Sequence, residues 1–221
     1  MKRFLALAVL AIGLSGAAFA QEPTTPDAAA PEAAAVEPAA VVEPAEPQFT
    51  GPVIVLHTTM GDIEVTLDPV GAPKTAAQFL ALVKSGHYNG AAVYRIERGF
   101  VIQLGDLDAK LKYRAPKRPP VPLETENNKH SRGALSLAHG DDPNSGQSTI
   151  FISLGENSGL DATPGAPPNT TGFAAFGRVT AGMDVVDAIA AVELAEEGGP
   201  FPGKLPKEPV VVTKAEIARH N

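Results

Sequence analysis

Hydrophobic and polar residues change their period several times along the chain, and each change marks an element. Val53-Ile54-Val55-Leu56 is a short apolar run that leads into Thr58-Thr59-Met60-Gly61-Asp62. Ile63-Glu64-Val65-Thr66-Leu67 then alternates with a period of two, so the two runs read as a β-hairpin. The period next lengthens. Ala76, Phe79, Leu80 and Val83 fall at helical spacing, Pro73 suits a first turn, and Gly86 stands where a left-handed C-terminal residue belongs. A second, shorter helix is predicted over Met183–Ala191, with Val186, Ile189 and Ala190 on one face. The remaining apolar runs are strand-length: Ala92–Ile96, Phe100–Leu104, Ala134–Ala138, Ile150–Leu154, Ala174–Val179 and Val210–Ile217. Many short strands between Gly, Pro and Asn turns, with two helices, predict a mainly β fold, a closed antiparallel barrel with helices plugging its ends. Pro-rich stretches at 115–122, 164–168 and 200–209 are loops, and no internal repeat is present.

The first fifty residues follow a different pattern. Lys2-Arg3 precede an apolar run over Phe4–Leu14, and Ala18-Phe19-Ala20 supplies a small-x-small cleavage site, so residues 1–20 read as a secretory signal peptide. The run is short of the roughly 20 apolar residues that span a bilayer. Residues 21–50 hold nine Ala, six Pro and six acidic residues, too little apolar bulk to offset chain entropy, and read as a disordered linker. The domain is then 51–221, and its expected location is the periplasm.

Composition narrows the chemistry. Among 221 residues there is no Cys, which excludes disulfides and thiolate chemistry, and there are nine Phe, three Tyr and no Trp. The net charge is −7: Lys2 and Arg3 give +2, residues 21–50 give −6, and 51–221 hold the remaining −3. That balance argues against a nucleic-acid partner. Phosphate loops, dinucleotide fingerprints, H-E-x-x-H and a nucleophile elbow are absent from the mature chain. His57, His87, His130, His139 and His220 lack ligand spacing and read as surface or turn residues, so no metal and no cofactor are expected. Residues 106–129 carry Lys110, Lys112, Arg114, Lys117 and Arg118 and read as a basic surface loop.

One block stands apart: Tyr94-Arg95-Ile96-Glu97-Arg98-Gly99-Phe100-Val101-Ile102-Gln103-Leu104-Gly105-Asp106. A strand-turn-strand arrangement about Gly99 brings a guanidinium, an aromatic ring and an amide onto one surface, and Ser148-Thr149-Ile150-Phe151-Ile152 adds a further ring. Taken alone, this spacing is weak evidence of a site, since most Phe in strands are core and a lone Arg is usually solvated. The block resembles the cyclophilin motif F-H-R-x-x-x-G-F-[MV]-x-Q-[GA]-G-D. Thr59–Ile63, Ala72–Thr75, Arg132–Ala138, Asp142–Ser145, Phe176–Val179 and Gly182–Val186 follow in cyclophilin order.

The resemblance covers about residues 52–218. It implies an eight-stranded barrel with two capping helices and peptidyl-prolyl cis–trans isomerase activity, acting on Xaa-Pro segments of client proteins as a monomer, with no stable membrane insertion after signal cleavage. It assigns catalysis to Arg95, Phe100 and Gln103, and substrate binding to Val101, Ala138, Thr149, Phe151, Leu160 and Phe173. The chain departs from the better-known pattern where Tyr94 replaces His, Val101 replaces Met, Leu104 replaces Gly or Ala, and Thr149 replaces Gln. Phe173 stands where His or Tyr is usual, and Gly159 where an aromatic, often Trp, is usual. Two alternatives stay open: a non-catalytic proline-peptide-binding module or envelope chaperone on the same fold, and a scaffold acting through residues 21–50.

Overall fold

The computed structural model describes residues 49–126 and 129–218. The signal peptide, nearly all of the linker and His220 lie outside the described residues.

The chain forms a closed antiparallel barrel. The strands are β1 (Val53–Thr58), β2 (Gly61–Leu67), β3 (Ala91–Glu97), β4 (Val101–Asp108), β5 (Ala134–Leu137), β6 (Ile150–Ser153), β7 (Ala174–Ala181) and β8 (Val211–Ile217). Around the barrel their order is β1-β2-β7-β5-β6-β4-β3-β8, and β8 returns to β1. The helices are α1 (Pro73–Lys84) and α2 (Met183–Ala191). This is the mainly β, two-helix barrel that the sequence implies, with strand ends shifted by a few residues. Phe100 belongs to the β3–β4 turn rather than to a strand.

The helix limits have local causes. Proline opens α1, and its end is a Schellman motif: Gly86 takes φ +70°, its N–H donates to Val83 O, and His87 N–H donates to Leu82 O at 3.0 Å. The N-terminus lacks a capping side chain of its own. The Glu124 carboxylate supplies one from the 106–129 loop, accepting from Lys74 N–H, Thr75 N–H and the Thr75 hydroxyl at 3.1, 2.8 and 2.8 Å. Arg118 Nε also donates to Gln78 Oε1 at 2.7 Å, so this basic loop is docked on α1. Phe79, Leu82 and Val83 bury the helix against the barrel, whereas Leu80 is only partly covered.

Alternation separates the inside of the barrel from its outside. Ile96, Ile102, Leu104, Ile152 and Leu135 fill the interior with Phe79, Tyr88 and Phe176. Leu104 is therefore a core residue, and its departure from the family pattern changes the barrel interior instead of the site. The residues between these, Arg95, Gln103, Phe151 and Ser136, point to the opposite face. Cross-strand pairing aligns them in one row: Arg95 opposite Gln103, Gln103 opposite Phe151, and Phe151 opposite Ser136.

Candidate active site

The row runs across β3, β4, β6 and β5 on the outer face of the barrel, and a hollow of about 190 Å³ lies over it. Arg95, Phe100, Val101, Gln103, Ala138, Phe151, Leu160 and Phe173 all line it, together with His139 and Phe201. Thr149 does not. It lines an adjoining cavity of about 400 Å³ with Tyr94, Asp106 and Gln147, and Ala138, His139, Gln103 and Phe201 are shared between the two.

Each side chain is held by an identifiable feature. Gly99 takes φ +76°, which lets the β3–β4 turn close and leaves Phe100 at the rim. Asn157 Nδ2 donates to Phe100 O at 2.8 Å, tying that rim to the short turn Ser158–Leu160. Phe173 N–H donates to Leu160 O at 2.9 Å, so Leu160 and Phe173 arrive as a unit. On β3, Val93 pairs with Leu104 and Arg95 with Gln103, which makes Tyr94 an extra residue in a β-bulge. The bulge brings Tyr94 to the same face as Arg95.

Polar contacts then fix the guanidinium. Arg95 Nη1 donates to Gln103 Oε1 at 3.1 Å, and Gln103 Nε2 donates to the Tyr94 hydroxyl at 3.0 Å. Arg95 Nη2 donates to Glu97 Oε2 at 2.7 Å, and this guanidinium holds the Glu97 carboxyl below its ordinary range. One N–H on each of Nη1 and Nη2 is thus committed, Nε–H is buried, and the second N–H of each Nη remains for other acceptors. Burial, with the Asp106 charge nearby, pushes the Tyr94 phenol well above its ordinary range, so it stays a neutral hydroxyl.

The apolar wall is a chain of rings. Phe151 meets Phe173 edge-on at 5.6 Å, Phe173 stacks on His139 at 4.5 Å, and His130 stacks on Phe151 at 5.9 Å. His130 is not a surface or turn residue: it is 1% exposed. The 129–133 segment tucks it behind Phe151, where Asp161 Oδ1 lies 2.9 Å from Nδ1 and also accepts from the His130 N–H. Burial lowers the His130 pKa despite that carboxylate, leaving a neutral ring. Burial would raise Asp161, but the His130 bonds outweigh it and the carboxyl lies below its ordinary range.

Three residues at the site were not singled out for it by the sequence pattern. Glu97 shares a strand face with Arg95, a spacing of two that signals contact. His139 carries no spacing signal. Phe201 belongs to a Pro-rich loop, and an aromatic set between two prolines was its one distinguishing mark. Gly159, where the family has an aromatic, is exposed and open, with nothing within 4 Å of the position a Cβ would take.

The family profile described as cyclophilin type peptidyl-prolyl cis-trans isomerase/CLD matches residues 53–217. The chain belongs to the cyclophilin-type peptidyl-prolyl cis–trans isomerases. Peptidyl-prolyl cis-trans isomerase A of Dickeya dadantii is 34% identical over 80% of this cyclophilin and 90% of its own length. The isomerase cyp18 of Streptomyces antibioticus is 36% identical over 74% and 97%. Among solved structures, a Cryptosporidium parvum cyclophilin determined in the presence of the dipeptide Ala-Pro has a TM-score of 0.60 at 20% identity, over 76% of this chain and 99% of that one. At that identity the likeness concerns the barrel alone.

Proposed function

We propose that this cyclophilin accelerates cis–trans exchange of Xaa-Pro bonds in exported client proteins, with Arg95 stabilising the twisted prolyl amide. The observation that carries this reading is the Arg95 guanidinium, held by Gln103 at the edge of a hollow whose wall is Phe100, Phe151, Leu160 and Phe173. Rotating an amide costs about 18–20 kcal/mol because twisting removes its resonance. In the twisted state the prolyl nitrogen regains a lone pair and accepts a hydrogen bond. A guanidinium N–H donated to that lone pair favours the twisted state over both planar ones, which is the differential that catalysis needs. A charge-assisted hydrogen bond contributes about 1.5–3 kcal/mol, or roughly ten- to a hundredfold in rate.

The rings hold the pyrrolidine while the amide turns, and Gln103 keeps the guanidinium from following solvent. Val101 and Ala138 complete the apolar lining, and Thr149, in the adjoining cavity, meets the substrate chain beyond the proline. The signal-like pattern of residues 1–20 supports export and a periplasmic setting, with residues 21–50 as a spacer and the protein acting as a monomer. Glu97, which partly neutralises Arg95, is the observation that favours the non-catalytic binding-module alternative.

The test is cis–trans exchange of a short Ala-Pro peptide measured by NMR with the full chain and Arg95→Ala. Acceleration by the parent, reduced about tenfold or more in the variant, is the expected result. A folded parent that leaves exchange unchanged hands the site to the binding-module reading. Export is tested separately by sequencing the N-terminus of protein recovered from a bacterial periplasm, which should begin at Gln21.

A further inference from the structure

We propose that Phe201, carried on the Pro-rich loop before β8, is a positioning residue for Arg95. The inference rests on the reading of Arg95 given above. Phe201 lies with its ring centroid 4.8 Å from the guanidinium carbon, closer than Phe100 at 5.9 Å, so two rings are within cation–π reach and Phe201 is the nearer. The Phe201 ring is also nearly parallel to Tyr94, at 9° and 6.4 Å, an offset stack that fixes its plane. Arg95 Nε is buried with no hydrogen-bond partner. The π face of Phe201 offers the positive group the stabilisation that no acceptor supplies there.

The loop is built to hold the ring in place. Pro200 and Pro202 flank it, and Gly198, Gly199 and Gly203 take φ of +103°, +70° and +68°, left-handed conformations that let the chain fold back over the site. Lys204 N–H donates to Phe201 O at 3.1 Å, and Ile96 N–H donates to Lys204 O at 2.7 Å, which pins the loop to β3 beside Arg95. Lys204 Nζ also lies 3.5 Å from Glu97, the carboxylate that holds Arg95. Phe201 lines both cavities, with Gln103, Ala138 and His139, whereas Gly159 lines neither.

The experiment compares the full chain with Phe201→Leu, which keeps apolar bulk without a ring, and Phe201→Tyr, which restores the ring. Ala-Pro exchange and the Arg95 Nε–H resonance are both read by NMR. The Leu variant is expected to lose about fivefold in kcat/KM, carried by kcat, and to shift the Arg95 resonance. The Tyr variant is expected to stay within about twofold of the parent, with the resonance in place. A Leu variant matching the parent in rate and resonance overturns the proposal, as does a loss confined to KM or one that Tyr fails to restore. If the parent itself accelerates nothing, the isomerase reading fails. The resonance comparison between parent, Leu and Tyr then still decides whether Phe201 positions Arg95.

Discussion

Glu97 accepts a 2.7 Å hydrogen bond from Arg95 two residues back along the same strand, so the guanidinium proposed for catalysis is also one half of an ion pair. The two side chains are 24% and 35% exposed, so the pair is half-buried but still reached by water, and about 1 kcal/mol, the upper end for surface pairs, is the scale of its contribution. Glu97→Gln is therefore expected to change Ala-Pro exchange by no more than about fivefold, well short of the effect of Arg95→Ala. Equal losses in the two variants would mean that Arg95 acts only through the ion pair.

Gly159 leaves space where an indole stands in familiar cyclophilins, and such indoles contact cyclosporin-type ligands. The parent is expected to bind cyclosporin weakly, and calorimetry giving a submicromolar affinity would contradict this. Because nothing lies within 4 Å of the Cβ position, a side chain can leave the backbone at Gly159 without a clash at its first carbon, which makes Gly159→Trp the variant to test. It is expected to tighten cyclosporin binding about tenfold or more, the usual weight of an interface Trp. The chain has no other Trp, so the fluorescence of the introduced indole reports binding directly.

The fold was legible where local rules act alone. Helix α2 falls on Met183–Ala191 as the periodicity predicts, and Gly86 ends α1 by the left-handed cap its position suggests. The face bearing Arg95, Gln103 and Phe151 follows from alternation once the pairing is known, but only the strand-turn-strand about Gly99 was legible in the sequence, and the pairing of β4 with β6 was not. Tyr94 was less legible: a period of two places it opposite Arg95, and only the bulge against Leu104 and Gln103 brings it to the same side. Phe201 and His130 lie in irregular segments, where no periodicity distinguishes a buried or site-facing ring from an exposed one. The resemblance implies a pocket position for Thr149, yet Thr149 lines the adjoining cavity and not the hollow that Phe151 lines.

Glu124 joins the 106–129 loop to the start of α1 through three hydrogen bonds, two of them from backbone N–H groups at the positive end of the helix. Glu124→Ala leaves those donors without their acceptor and removes one of the contacts that dock the loop, while the Arg118–Gln78 and Gln78–Pro119 bonds remain. It is expected to lower unfolding free energy by about 1–2 kcal/mol, the range for loss of an N-terminal cap. Glu124→Gln, which keeps an acceptor, should lose less. Urea unfolding curves that superimpose for parent and Ala variant would show that the helix start does not depend on this carboxylate.

His130 makes stability depend on pH in a definite direction. Burial lowers its folded pKa below the 6.5 of the free side chain, so the unfolded chain takes up a proton more readily than the folded one. Its contribution is fully present above about pH 6.5 and declines as pH falls towards the folded pKa. His87, lowered chiefly by burial, acts in the same sense. His57, raised by its hydrogen bonds to Asp62 and Glu216, acts in the opposite one, its contribution lost as pH rises through its folded pKa. A comparison with His130→Gln cancels both, since they are common to the two proteins. Unfolding free energy measured from about pH 7.5 to 5 should fall more steeply for the parent, the two curves converging towards acid. Curves that run parallel through this range would mean that the ring behind Phe151 is protonated as readily folded as unfolded.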